Sequence, residues 1–264
     1  MPTRTGYSPG TPCWVDLLSP DVDASIAFYT GLFGWGTETV HDPDGNRIYT
    51  LLTKDGQHTA GLSAQPPMMA GSPPVWNSYI ATADADATAE AVLKAGGQVV
   101  MPAMAVMDVG TMAVCTDPTG AAFSIWQAGT HIGAQIVNEA DAYSWNELLS
   151  RDVEAAKAFY SEVFGWAYEG MGMGPDGTYW VIQGGEDGGM GGLMGRPPQL
   201  PDFVPDHWAV YFIVADLDAK VAAVQAAGGG VMHGPTDVPG IGRISTVTDP
   251  AGGAFSMLQP APQG

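Results

Sequence analysis

One stretch of this chain is written twice. Trp14 to Trp35 reads WVDLLSPDVDASIAFYTGLFGW and Trp145 to Trp166 reads WNELLSRDVEAAKAFYSEVFGW, identical at thirteen of 22 positions with an offset of 131. The offset holds for Gly61-Leu62 against Gly192-Leu193 and for Pro66-Pro67 against Pro197-Pro198. It then becomes 132: WNSYIATADADA from Trp76 matches WAVYFIVADLDA from Trp208, and TDPTGAAFSIWQ from Thr116 matches TDPAGGAFSMLQ from Thr248. Self-similarity on this scale is a whole-domain duplication. It divides the 264 residues into an N-terminal domain over 1–130, a connector over 131–144 and a C-terminal domain over 145–264.

Each half divides again. Cys13 to Leu18 has the apolar character of a strand. It leads into a helix, for which Ser19 is the expected N-cap and Pro20 sits where a missing N–H costs nothing. Val22, Ile26, Tyr29 and Phe33 recur at helical spacing and mark the expected buried stripe, and Gly34 suits a left-handed C-cap. Asp44-Gly45 and Asp55-Gly56 then punctuate short strands. The second quarter repeats the order: a strand over 75–82, a helix from about 84 to 95, and three strands near 98–102, 111–116 and 121–127, the last two separated by the turn Asp117-Pro118-Thr119-Gly120. The expected fold is therefore α+β, built from four βαβββ modules.

Lys and Arg number 9 against 28 Asp and Glu, a net charge of −19. A nucleic-acid binder needs a cationic footprint to replace phosphate counterions, so that class is excluded, and a polybasic membrane-surface role falls with it. No apolar run approaches the roughly 18 residues of a transmembrane helix. Met1 to Gly10 has no apolar segment, which predicts no export signal and a cytoplasmic protein. The two cysteines, Cys13 and Cys115, lie in apolar strand-like runs and read as reduced core thiols.

Four βαβββ modules, the FY…FGW helix ends and the DP-x-G turns resemble the vicinal oxygen chelate superfamily, which includes glyoxalases, extradiol dioxygenases and bleomycin-resistance proteins. The WxxL openings, Val106 to Gly110 (VMDVG) and the connector His131 to Glu139 (HIG…NE) are more closely similar to two-domain actinobacterial members. Those are often labelled glyoxalase-like or "hydroxylase", and some occur with aromatic polyketide biosynthesis. The resemblance implies paired modules forming two half-open barrels, each with a cavity on its concave side. It also implies metal-ligand positions. On this chain they fall on Trp14, Trp145, Asn77, Ala209, Ser124 and Ser256. Trp cannot ligate a divalent ion, and Ser and Ala are poor donors, so no metal and no other cofactor is expected.

Asp16 and Glu147 are equivalent in the repeat, each two residues beyond a Trp and so on the same strand face as that Trp. Two readings stand. A carboxylate in an apolar cavity has a raised pKa and serves as an acid or base, with His207 at the start of another strand as a further candidate. Alternatively, each carboxylate accepts hydrogen bonds and braces its domain. None of the five His makes an i, i+4 pair, and no phosphate loop or nucleophile elbow is present.

The eight Trp and thirteen Met carry more information. Met68, Met69, Met104, Met107, Met171, Met173 and Met194 fall in expected loops, where flexible thioethers suit an adaptable apolar pocket. Trp35 and Trp166 read as core. The expected ligand-contacting set is Trp14, Trp76, Asn77, Tyr79, Met107, Ser124, Trp126, Trp145, Trp208, Tyr211 and Ser256. The leading expectation is metal-independent binding of an apolar aromatic small molecule, a natural product or pathway intermediate, either sequestered as in resistance or held for biosynthetic tailoring. A metal-free enzyme using Asp16, Glu147 or His207 is the second, and metal-dependent glyoxalase chemistry the third. The partners expected are that small molecule and a biosynthetic oxygenase, with the chain a monomer or homodimer.

Overall fold

The computed structural model describes residues 3–172, 177–185, 188–198 and 200–262. The first half runs β1 (Pro12–Ser19), α1 (Val22–Phe33), β2 (Gly36–His41), β3 (Arg47–Lys54), β4 (Gln57–Ala64), then β5 (Val75–Ala81), α2 (Ala85–Lys94), β6 (Gln98–Val106), β7 (Gly110–Thr116) and β8 (Ala122–Ala128). The second half repeats it: β9 (Ala142–Ser150), α3 (Val153–Phe164), β10 (Ala167–Gly172), β11 (Thr178–Gly185), β12 (Gly188–Gly195), then β13 (His207–Ile213), α4 (Leu217–Ala226), β14 (Gly230–Val238), β15 (Gly242–Thr248) and β16 (Ala254–Pro260). These are four βαβββ modules in an α+β fold. The first strand of the second half opens at Ala142, inside the stretch read from sequence as connector.

Neighbouring modules pair. Each half is one eight-stranded sheet, ordered β2-β3-β4-β1-β5-β8-β7-β6 and β10-β11-β12-β9-β13-β16-β15-β14. The module-opening strands meet antiparallel at the centre, with Asp16 opposite Asn77, Trp14 opposite Tyr79 and Leu17 opposite Trp76. Because side chains alternate, Trp14, Asp16, Asn77 and Tyr79 share one face, and Val15, Leu17, Trp76 and Ser78 the other.

Local signals explain most elements. Among the described residues the four α-helices are N-capped by Asp: Asp21, Asp84, Asp152 and Asp216 each accept from a backbone N–H three residues on. The expected cap Ser19 is displaced because β1 continues through it; its hydroxyl instead accepts from the Asp21 N–H and bonds Ser25. Gly34 and Gly165 close α1 and α3 at φ of 72° and 70°, which only glycine adopts freely. Asp55 and Gly56, both at positive φ, make the tight β3–β4 hairpin turn. The buried face of α1 is wider than its sequence stripe: Ser25, Phe28, Tyr29, Leu32 and Phe33 are buried, while Val22 and Ile26 are only half-buried. The cause is that α1 is covered from two sides.

The second side is the other half. Phe33 of α1 packs on Phe212 and Phe28 on Phe255, both from the second sheet. Reciprocally, Phe159 and Tyr160 of α3 pack on Phe123 of the first sheet. The faces that carry Trp76 and Trp208 therefore form a shared core. The repeated FGW tryptophans tie each half to the segment that leads into the other: Trp35 Nε1 donates to the Asp141 carbonyl and Trp166 Nε1 to that of Gly10, both at 2.7 Å. Cys13 and Cys115 are buried, unpaired thiols; burial pushes Cys115 up to about 11 and Cys13 higher. Among the described residues, no helix is long and apolar enough to cross a membrane.

Candidate functional site

The face of the first sheet opposite the shared core carries Asp16 at its centre. The carboxylate is buried and accepts three hydrogen bonds: from Asn77 Nδ2 at 2.9 Å, from the Tyr79 hydroxyl at 2.9 Å and from the Tyr49 hydroxyl at 3.0 Å. The Tyr49 oxygen in turn accepts from Trp14 Nε1 at 2.9 Å. Tyr49 reaches Asp16 only because Gly61 lies beneath it: a Cβ on Gly61 would sit 1.9 Å from the tyrosine oxygen. Burial raises the Asp16 pKa, and the three donors act against it.

The second sheet repeats this arrangement with one exchange. The Tyr211 hydroxyl donates to Glu147 Oε1 at 2.9 Å, and Trp145 Nε1 donates to the Tyr179 hydroxyl at 2.8 Å beside the same carboxylate. Gly192 lies under Tyr179 as Gly61 does under Tyr49. Asn77 is replaced by Ala209, which stands opposite Glu147. The Glu147 pKa is likewise raised by burial and held back by Tyr211 and Tyr179.

Of the residues singled out in the sequence, Trp14, Asp16, Asn77, Tyr79, Ser124 and Trp126 are brought onto one face of the first sheet, and Trp145, Glu147, Tyr211 and Ser256 onto the matching face of the second. Trp76, Trp208 and Met107 are placed elsewhere, and His207 lies at the margin. Trp76 and Trp208 point into the shared core, where Trp76 meets Phe212 and Trp208 meets Trp166. The one-residue phase of each strand sets this, since Trp76 precedes Asn77. Met107 lies in the β6–β7 turn, 58% exposed and at a φ of 46°. His207 shares the Glu147 face but stands at its rim, with Nδ1 held by the Pro205 carbonyl at 2.9 Å. Among the expected loop methionines, Met104, Met171 and Met194 are in strands, and Met173 lies outside the described residues.

The metal positions implied by the fold do not hold a donor set. Trp14 and Trp145 turn their indole N–H groups to tyrosines, and Ser256 bonds Thr246. Among the described residues no group of three or more His, Cys, Asp or Glu converges as a metal cage. A catalytic metal needs at least three such ligands. The residues present do not fit one.

The two halves differ in how their tryptophans are covered. Trp14 is 4% exposed. The connector closes over it: the His131 ring stands edge-on at 4.6 Å, Trp126 Nε1 donates to the His131 carbonyl, and the Ala134 N–H to that of Cys13. Trp145 is only half-buried. It lines a cleft with Arg4, Tyr7 and Ser8 of the opening segment, Asn138 of the connector, and Met190 of β12. A Cβ on Gly189, in the same wall, would lie 2.9 Å from the Trp145 ring, so the glycine lets the hairpin close on the indole. Sequence reasoning missed Tyr49 and Tyr179, although Gly61 and Gly192 stand in the repeat. It also missed Arg4 and Tyr7, which the opening segment of the first half brings to Trp145, and Asn138 and Met190, which the connector and the pairing of β12 with β9 place there.

The family profile for the Glyoxalase/Bleomycin resistance protein/Dioxygenase superfamily matches residues 13–125 and 131–257. The chain is 46% identical over 264 residues, 100% of both chains, to "Putative glyoxylase CFP32" of Mycobacterium tuberculosis. It is 38% identical to "Anthracycline biosynthesis protein DnrV" of Streptomyces peucetius, over 97% of this chain and 95% of that one. In fold it is similar to the 2,3-dioxygenase LapB of Pseudomonas sp. KL28, with a TM-score of 0.68, 13% identity, and coverage of 98% of this chain and 95% of that one.

Proposed function

The chain belongs to the Glyoxalase/Bleomycin resistance protein/Dioxygenase superfamily, and on that premise we propose that it binds a planar aromatic small molecule, without a metal ion, in the cleft over Trp145. The observation that carries this reading is the difference between the two halves. The same Trp–Tyr–carboxylate set is built twice, yet only in the second half does the tryptophan remain half-open, facing a flexible Met190 and a polar wall of Arg4, Tyr7, Ser8 and Asn138. Indole and thioether surfaces suit a flat apolar ring, and the polar wall suits oxygen substituents at its edge. Relatives named for anthracycline biosynthesis support a natural product or pathway intermediate as the ligand class.

Asp16 and Glu147 serve as braces in this reading. Each is buried behind tyrosines that donate to it, and the duplication keeps the arrangement in both halves. The test is a thermal-shift screen of planar aromatic ligands with the ligand recovered afterwards. Binding stabilises the folded state by mass action, by about 2.7 kcal/mol at a hundredfold excess over Kd, and so raises the melting temperature. Recovery of the ligand unchanged supports a binding protein. Recovery as a product, with turnover lost in Glu147→Gln, would replace this reading with a metal-free enzyme.

A further inference from the structure

The cleft over Trp145 differs in sign from the rest of the molecule. The chain carries 28 acidic residues against 9 basic ones. Yet among the described residues that line the cleft there is no Asp or Glu, and the single charged side chain is that of Arg4. Glu139, the residue after the lining Asn138, is not part of the wall; its Oε2 lies 3.7 Å from Lys54 Nζ.

The backbone fixes Arg4 at this place. Its N–H donates to the Gln135 carbonyl at 2.8 Å, which ties the opening segment to the connector. Three residues on, the Tyr7 hydroxyl donates to the Ala134 carbonyl at 2.6 Å and makes a second tie. Gly6 lines the cleft between them, and a Cβ there would meet nothing within 4 Å, so the wall beside Arg4 faces open space. A guanidinium offers five N–H donors in a planar fork, so Arg4 can grip both oxygens of a carboxylate whatever else it touches. Arg4 and Trp145 are both half-buried, and charges in that position are screened less than those on an open surface.

A net charge of −19 repels an anion from most of the surface. The acid-free wall removes that repulsion locally, and Arg4 replaces it with attraction. A cationic ligand would find no counter-charge in the same wall. We propose that the aromatic ligand is an acid: a flat ring system over Trp145 carrying a carboxylate that Arg4 holds. This inference rests on the aromatic-binding reading and narrows it from any planar aromatic to an aromatic carboxylic acid.

The test uses the full chain at neutral pH and two probes of one shape, an anthraquinone monocarboxylate and the matching neutral carboxamide, titrated by calorimetry. The carboxylate should bind about tenfold tighter, the gain of a charge-assisted, two-pronged bond over a neutral one. Arg4→Gln should bring the ratio of the two affinities near one. Arg4→Lys, which keeps the charge without the fork, should give an intermediate ratio. Lys94→Gln removes the same charge from an exposed side chain of α2 and should leave the ratio unchanged. Trp145→Ala should weaken both probes and preserve the ratio. The wild-type ratio decides even where a variant fails to fold. A carboxamide that binds as tightly as the carboxylate would overturn the proposal and leave aromatic binding standing, as would a preference for the acid that survives Arg4→Gln. Saturable binding of neither probe would overturn both.

Discussion

The Tyr29 hydroxyl, on α1 of the first half, donates across 3.1 Å to the Asp249 carboxylate in the turn before the last strand of the second half. Tyr29 also accepts from Trp76 Nε1 at 3.2 Å. Asp249 uses its other oxygen to hold the Ala251 and Gly253 N–H groups of its own turn. The repeat generates the mirror arrangement, in which Tyr160 accepts from Trp208 at 3.0 Å and lies against Asp117 in looser geometry. The DP-x-G turn is therefore a socket, and the FY helix of the opposite half supplies the plug. This explains why the two motifs recur together in both halves.

Tyr29→Phe should destabilise the protein by about 1–3 kcal/mol, because it leaves a buried carboxylate and a buried indole N–H each short of a partner. Tyr160→Phe should cost less, since its bond to Asp117 is the looser one. Urea denaturation of the two variants checks the order; an equal or reversed order would contradict the tighter bond assigned to Tyr29.

Gly61→Ala should cost about 2–4 kcal/mol, because the new methyl collides with the Tyr49 hydroxyl and pushes it from Asp16. Combining Gly61→Ala with Tyr49→Phe should recover part of that loss, since the colliding oxygen is gone. A double-mutant cycle reads the coupling, and strict additivity would mean that glycine and tyrosine do not act together.

His131 gives the pH prediction. Its pKa falls from an ordinary 6.5 to about 4 in the folded protein, chiefly through burial, with His58 adding to it. Between those values the unfolded chain binds a proton that the folded one rejects. The stability tied to a neutral His131 is therefore complete above pH 6.5 and drains away as pH falls toward 4, by about 2–3 kcal/mol in total. The stability difference between wild type and His131→Gln should shift toward the variant by that amount over this window. A pH-independent difference would place His131 in contact with water.

Trp76→Ala and Trp208→Ala should lower stability by about 3–5 kcal/mol, as for any large aromatic cut from a packed core, with no selective effect on ligand affinity. Denaturation curves paired with ligand titration on the folded fraction separate the two. A selective loss of affinity in Trp76→Ala would place the ligand in the domain interface.

Much of the fold was legible because the duplication repeats every signal. The Asp-Gly turns, the glycine caps and the helical spacing of the FY motifs each have local physical causes, and each is seen twice. The site was less legible. Trp76 and Asn77 are adjacent in sequence but face opposite sides of β5, and only the register against β1 shows which side is the shared core. Ser19 resembled a cap because nothing local shows that β1 runs through it. Arg4 and Tyr7 carry no motif and reach Trp145 because the opening segment of the first half crosses onto the second; Asn138 stands in the HIG…NE motif, which does not itself show that it lines a cleft with Trp145. The carboxylates were readable as a pair, but the tyrosines that satisfy them come from separate strands.

The most direct test of metal-independent aromatic binding over Trp145 is a fluorescence titration with a planar aromatic ligand, run with and without excess chelator, on wild type and Trp145→Ala. The account predicts saturable quenching that the chelator leaves unchanged and that Trp145→Ala weakens about tenfold, the loss of one stacked ring. Quenching abolished by the chelator and restored by a divalent metal, or binding indifferent to Trp145→Ala, would contradict it.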